Sequence, residues 1–153
     1  MENYKLYDEM RSNALKITPE EIGLVLDDDK QVYASLIDME INGTTVSLVC
    51  IFDSSVSLYY SNGRMDLGLG ENPDIMREAT TFLINSGQCL DKMKIIDKPE
   101  SIEGSDIHFY LKGRKGIYTA AYRVNSSENS RECQFLFFLL QKVLSAIREE
   151  QLS

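Results

Sequence analysis

Apolar positions recur along this chain with two different periods, and the switches between them divide it into elements. Over residues 3–16, Tyr4, Tyr7, Met10 or Arg11, and Ala14 fall at helical spacing with Leu6 beside them, which predicts a first helix. Thr18-Pro19-Glu20-Glu21 follows as a helix start: Thr18 suits the N-cap, Pro19 the first position, and Glu21 completes a capping box. Gly23 limits it to a short corner. From Gln31 the spacing shifts toward strand, and the second half of 32–41 alternates with period two. Asn42-Gly43 supplies both positive-φ residues of a type I′ turn, so residues 45–52 return as the second strand of a hairpin. Asp53-Ser54-Ser55 turns the chain again into a third strand over 56–61.

Asn72 and Pro73 open the next helix as cap and first residue. Its apolar stripe runs through Ile75, Ala79, Phe82 or Leu83, Ser86, Leu90 and Met93. The stripe passes Gly87, so a helix to about residue 92 is expected, at a propensity cost of ~1 kcal/mol. A connector over 92–105 contains Pro99 and Gly104. Strands are expected at 107–111 and 116–124, joined by Lys112-Gly113-Arg114-Lys115, and a last helix at 131–150. Residues 133–140 are apolar nearly all round that helix, which implies burial on more than one face. The order helix, three strands, helix, two strands, helix defines a single α+β domain over 1–153, with an antiparallel sheet of about five strands. That order resembles type III secretion chaperones and, more loosely, roadblock or profilin-like modules, a likeness of fold alone.

Composition narrows the function classes. The 43% hydrophobic and 26% charged residues describe an ordinary globular chain. Its longest apolar run, 135–140, falls far short of the ~20 residues of a membrane helix. The first residues lack the basic-then-apolar pattern of a signal peptide, so a cytoplasmic address is expected. The net charge of −8 is uneven: residues 1–70 hold 12 acidic and 5 basic side chains, and the remainder 12 and 11. Such a body repels nucleic acid and anionic lipid, and is compatible with a basic protein partner. Cys50, Cys89 and Cys133 are widely spaced and odd in number, which argues against disulfides and zinc; Cys50 reads as a small core residue.

Candidate chemistry is sparse. Asn62, Gly63, Gly68 and Gly70 lie in a loop before the Pro73 helix and are the only candidates for ligand binding, by backbone N–H groups. The loop lacks the Lys-Ser/Thr of a P-loop, Pro73 has no N–H, and Asp66, Glu71 and Asp74 repel phosphate. A structural role for its glycines is the stronger expectation. His108 is the single histidine and has no nucleophile motif beside it; no catalytic residue, cofactor or metal is expected. Lys112, Arg114 and Lys115 form a basic hairpin tip, and Asp27-Asp28-Asp29 a solvated acidic loop. Tyr59 and Tyr60, adjacent in a strand, must face opposite sides.

Blocks between residues 15 and 123 resemble a family of small uncharacterised bacterial proteins. The likeness rests on Pro19-Glu20-Glu21-Ile22-Gly23-Leu24, Val46-Ser47-Leu48-Val49-Cys50, Ser57-Leu58-Tyr59-Tyr60-Ser61-Asn62-Gly63, Met76-Arg77-Glu78-Ala79, His108-Phe109-Tyr110 and Gly116-Ile117-Tyr118-Thr119-Ala120-Ala121. The family's near-continuous glycines are replaced here by Arg64, Met65, Asp66, Leu67 and Leu69. The resemblance implies a bacterial cytoplasmic origin and carries no activity. The expected function is a non-enzymatic protein-interaction or regulatory module, as a homodimer through Phe137, Leu140 and Leu144 of the last helix. The alternative is a small-molecule or anion sensor using the 63–70 loop.

Overall fold

The computed structural model describes residues 2–98 and 106–152, with side chains from residue 4 onward; Pro99 and Gly104 of the expected connector lie outside the described residues. Three helices pack on one antiparallel sheet: α1 (Glu2–Lys16), α2 (Pro73–Ser86) and α3 (Arg131–Leu152). The strands are β1 (Val32–Ile41), β2 (Thr44–Ile51), β3 (Val56–Tyr60), β4 (Met65–Asp66), β5 (Lys94–Ile96), β6 (Ile107–Gly113) and β7 (Gly116–Tyr122). Their order across the sheet is β4-β3-β2-β1-β6-β7-β5, and every pairing is antiparallel.

The α+β class and the meander are as expected, and the hairpin turn takes its expected form, with Asn42 at φ 51° and Gly43 at φ 81°. Five strands become seven. Both additions are too short to show a period: β4 lies inside the glycine loop and β5 inside the connector. The second helix also differs. It ends as an α-helix at Ser86 and continues as a 3-10 turn over Gly87–Lys92. A Cβ on Gly87 would stand 2.0 Å from the carbonyl oxygen of Lys30, so the glycine admits the chain before β1. Thr18 accepts from the Glu21 N–H at 3.3 Å and donates to its carboxylate at 3.1 Å, but the expected helix is a single 3-10 turn that begins at Glu20, with Pro19 rather than Thr18 at its cap position.

The sheet has two unlike faces. On the front, Ile37, Leu48, Phe109 and Leu111 meet Phe82 and Leu83 of α2 and Leu136 and Leu140 of α3, all almost wholly excluded from solvent. Phe82 and Phe109 stack with ring centroids 6.4 Å apart. Burying a large apolar side chain is worth about 1.5–3 kcal/mol, so this layer is the main source of stability. On the back, α1 packs Tyr7 and Leu15 onto Leu36, Val49, Tyr59 and Tyr110 in a smaller cluster. Tyr59 and Tyr60 divide between the two clusters, as their alternation requires. Among the described residues no helix is long and apolar enough to cross a membrane, and no cluster of histidine, cysteine and carboxylates is placed to hold a metal ion.

Candidate functional site

The back face is where polar chemistry gathers. Asp38 sits in the middle of β1, alternates onto the α1 side, and is 0% exposed. Arg11 sits on the inward stripe of α1 and its Nε donates to both Asp38 oxygens, at 3.2 and 3.0 Å. Ser47, the cross-strand partner of Asp38 on β2, donates its hydroxyl proton to the same carboxylate. Tyr7 then donates to Ser47 Oγ at 2.7 Å. The Arg11 guanidinium also lies over the Tyr110 ring, 5.3 Å from its centroid. Burial alone works against the Arg11 charge, but the hydrogen bonds and attraction of Asp38 outweigh it and raise its pKa. Burial pushes the Tyr7 phenol up to about 12, with the nearby Asp38 adding to it. A guanidinium held charged and a phenol held neutral move no proton near neutrality, so this network fastens α1 to the sheet.

Beyond α1, among the described residues, the back face over β6, β7 and β5 is only partly covered. A hollow of about 300 Å³ there is lined by Lys94, Ile96, His108, Tyr110, Thr119 and Ala121, among others. A second, of about 270 Å³, lies between the end of α1 and Ile117, with Lys16, Asp97 and Lys98 on its wall. Ile96 and Ile117 are register partners on β5 and β7, so the two hollows adjoin across one row of the sheet. Both isoleucines are half-buried against the α1 cluster. His108 stands beside Asp38 in the β1–β6 register and contributes its ring to the first hollow.

The expected site residues fall elsewhere. Asn62 accepts from the Arg64 N–H at 3.0 Å, an Asx turn, and Gly63 and Gly68 take φ of 94° and 71°. A Cβ on Gly70 would lie 1.8 Å from the Ser54 carbonyl oxygen, so that glycine lets the loop pass close against the turn before β3. Asn72 accepts from the N–H groups of Asp74 and Ile75, so the first turn of α2 is already satisfied from within. The open cleft above the loop is walled by Asp66, Glu71 and Glu150. Among the described residues its one cation is Arg64, which lies over the Tyr60 ring and 3.4 Å from Asp66.

The last helix uses its apolar faces inside the chain. Leu140 is 0% exposed, and Leu144 is half-buried against the front core. Phe137 stacks flat on Tyr122 of β7, centroids 4.1 Å apart and planes 3° from parallel. The second face of α3, expected to seek another subunit, is covered by α2 and β7, and Leu140 is closed to any partner of the folded chain.

The basic tip is corrected in part. The turn between β6 and β7 is Arg114-Lys115, and both pair with Asp29 of the acidic loop, at 3.0 and 3.3 Å. Lys112 lies two residues inside β6 and is buried, 7% exposed. Its Nζ donates to the Ile17 carbonyl, which also accepts from the Tyr33 hydroxyl at 3.0 Å. Burial lowers the Lys112 pKa to about 8, against the pull of Glu21. The cysteines are all buried; burial drives the Cys50 thiol up to about 12 and Cys89 up to about 11. Thiols so held are poor nucleophiles.

The Arg11–Asp38 network was missed by residue pattern alone. One signal was present: an arginine shares the apolar stripe of the first helix while an aspartate interrupts the most apolar strand, and two buried charges must find each other. No known protein family, curated protein or solved structure matches this chain.

Proposed function

We propose that this protein is a non-enzymatic interaction module whose docking face is the partly covered half of the sheet beside α1. One observation carries the reading. Two helices cover the front of the sheet, whereas among the described residues a single helix covers part of the back. Ala121 is exposed there and Ile96 and Ile117 are half-buried, around the two hollows. Partly covered apolar surface edged by polar groups is the usual character of a protein-binding site. The buried ionisable groups are committed to fastening α1, which supports a scaffold over a reaction site.

A photo-crosslinking amino acid placed at position 121 in cells tests this. Adducts of discrete mass from position 121, absent with the crosslinker at the exposed Gln141 of α3, support the reading. Equal or absent crosslinking from both positions would end it.

A further inference from the structure

One stretch of the chain has the period of a strand and no strand beside it. Residues 24–27 run without turn or bend ahead of β1, and their burial alternates: Leu24 and Leu26 are half-buried, Val25 and Asp27 exposed. Val25, a β-branched residue, is 85% exposed. The Leu24 N–H is held by the Pro19 carbonyl at 2.9 Å and the Asp27 N–H by Gln31 Oε1 at 2.8 Å, which fixes both ends of the stretch. Between them, the backbone groups of Val25 and Leu26 have no hydrogen-bond partner among the described residues. Successive residues of an extended chain aim their backbone groups at opposite edges, so the N–H and C=O of Val25 face away from the Leu24–Pro19 contact.

Leu24 also lines two hollows at this end of the sheet. One, of about 510 Å³, is shared with Val25, Leu26 and Tyr33. The other, of about 220 Å³, is shared with Val32, Phe52 and Ile84, and Phe52 and Ile84 are 40% and 59% exposed. We infer that residues 24–27 are a docking strand for an extended segment of a basic partner protein. That segment exchanges both backbone hydrogen bonds with Val25, sets an apolar side chain in the hollow of Phe52 and Ile84, and lays lysine or arginine against Glu20, Asp27 and Asp28. This surface is separate from the back face, and the inference does not rest on the functional reading above.

Backbone and charge each select that occupant. A helix satisfies its own backbone groups and leaves those of Val25 as they are, whereas a strand completes them. The exposed cations that line the two hollows are already held: Arg114 and Lys115 by Asp29, and Lys30 by Asp91. Glu20, Asp27 and Asp28 are exposed and form no ion pair with any described residue. Carboxylates left over around an unpaired apolar strand favour a cationic partner and repel nucleic acid and anionic lipid. A second copy of this chain, pairing two-fold through Val25, would set the same carboxylates against each other.

The test uses the whole chain and a fluorescein-labelled peptide of about ten residues that alternates valine and lysine. Three counterparts carry glutamate for lysine, N-methyl groups along the pairing edge, or staples that hold a helix. Anisotropy titrations should show the lysine strand binding at least about tenfold tighter than each counterpart, and weakening as salt rises. Hydrogen exchange read by NMR should slow at the Val25 amide by at least about tenfold when that peptide is bound. Val25→Pro deletes the pairing N–H and should lose at least about tenfold in affinity. The double variant Glu20→Lys/Asp27→Lys leaves the backbone intact and should lose as much. Glu149→Lys, on the exposed side of α3, should bind as the parent does. Circular dichroism checks that each variant is folded.

No binding of the lysine strand, equal or tighter binding of any counterpart, an unprotected Val25 amide, or an unchanged Glu20→Lys/Asp27→Lys would overturn the inference. So would a two-chain mass in light scattering that Val25→Pro reduces to one chain, which would make the segment a site of self-pairing.

Discussion

Arg11 and Asp38 meet across the boundary between helix and sheet, the guanidinium nitrogen 3.0 and 3.2 Å from the two carboxylate oxygens, with Asp38 wholly excluded from solvent. Arg11→Ala leaves a buried carboxylate without its cation and should cost about 3–5 kcal/mol in urea unfolding. Replacing both residues with leucine should recover most of that loss, because the desolvation cost disappears along with the attraction. A loss below about 1 kcal/mol for the single variant would show that α1 is held by its apolar contacts alone.

Lys112 gives stability an unusual rise in mild alkali. Its folded pKa is lowered from 10.5 to about 8. Between those values the unfolded chain holds the proton that the folded chain has released, so raising the pH favours folding. Cys50, Cys89 and Tyr7 act in the opposite sense, because their raised pKa values make folding lose ground above about pH 9 to 10. Unfolding free energy should therefore climb between about pH 7.5 and 9, by on the order of 1 kcal/mol, and fall beyond. Lys112→Met should remove the climb and keep the fall. A profile of the variant parallel to that of the parent would assign the rise to another group.

The loop glycines differ in what they tolerate. Gly70→Ala drives a methyl into the Ser54 carbonyl and should cost about 2 kcal/mol or more. Gly68→Ala meets only the Glu71 side chain at ordinary contact distance but sits at positive φ, and should cost about 1 kcal/mol. Urea midpoints in that order confirm a backbone role; the reverse order would point to a loop that moves to relieve the clash.

Two neighbouring phenylalanines on α3 make a matched pair. Phe137→Glu breaks the stack on Tyr122 and should lower stability by about 3 kcal/mol or more, whereas Phe138→Glu, at a side chain 55% exposed, should change it by less than about 0.5 kcal/mol. Light scattering on both variants separates packing from self-association. A parent of two-chain mass reduced to one chain by Phe138→Glu would place a subunit interface on the outer side of α3.

Elements with a strong local cause could be read without the structure. Asn42-Gly43 admits few conformations other than a tight hairpin, and the stripe from Ile75 to Leu83 has one sensible face. Strands β4 and β5 have no such cause: Met65-Asp66 and Lys94-Ile95-Ile96 become strands because β3 and β7 present open edges to them. The charges of Arg114 and Lys115 and the glycine after it suggest the tip for Lys112, yet the paired backbone continues to Gly113 and carries the lysine under the end of α1. The candidate docking face was least visible. It is assembled from Lys16, Lys94, Lys98 and Ile117, which approach one another only once β5 joins β7.

The central position of β1 has a consequence for how the chain must be made. Its first neighbour, β2, follows at once, but its second, β6, begins only at Ile107. During synthesis the β1–β2–β3 meander therefore emerges with one long edge of β1 open, along a strand whose residues from Val32 to Met39 are all destined for the interior. An open apolar edge is a template for pairing with another nascent chain. The acidic charge concentrated in the first seventy residues repels such neighbours during that interval, a protection needed before the molecule has a fold to protect.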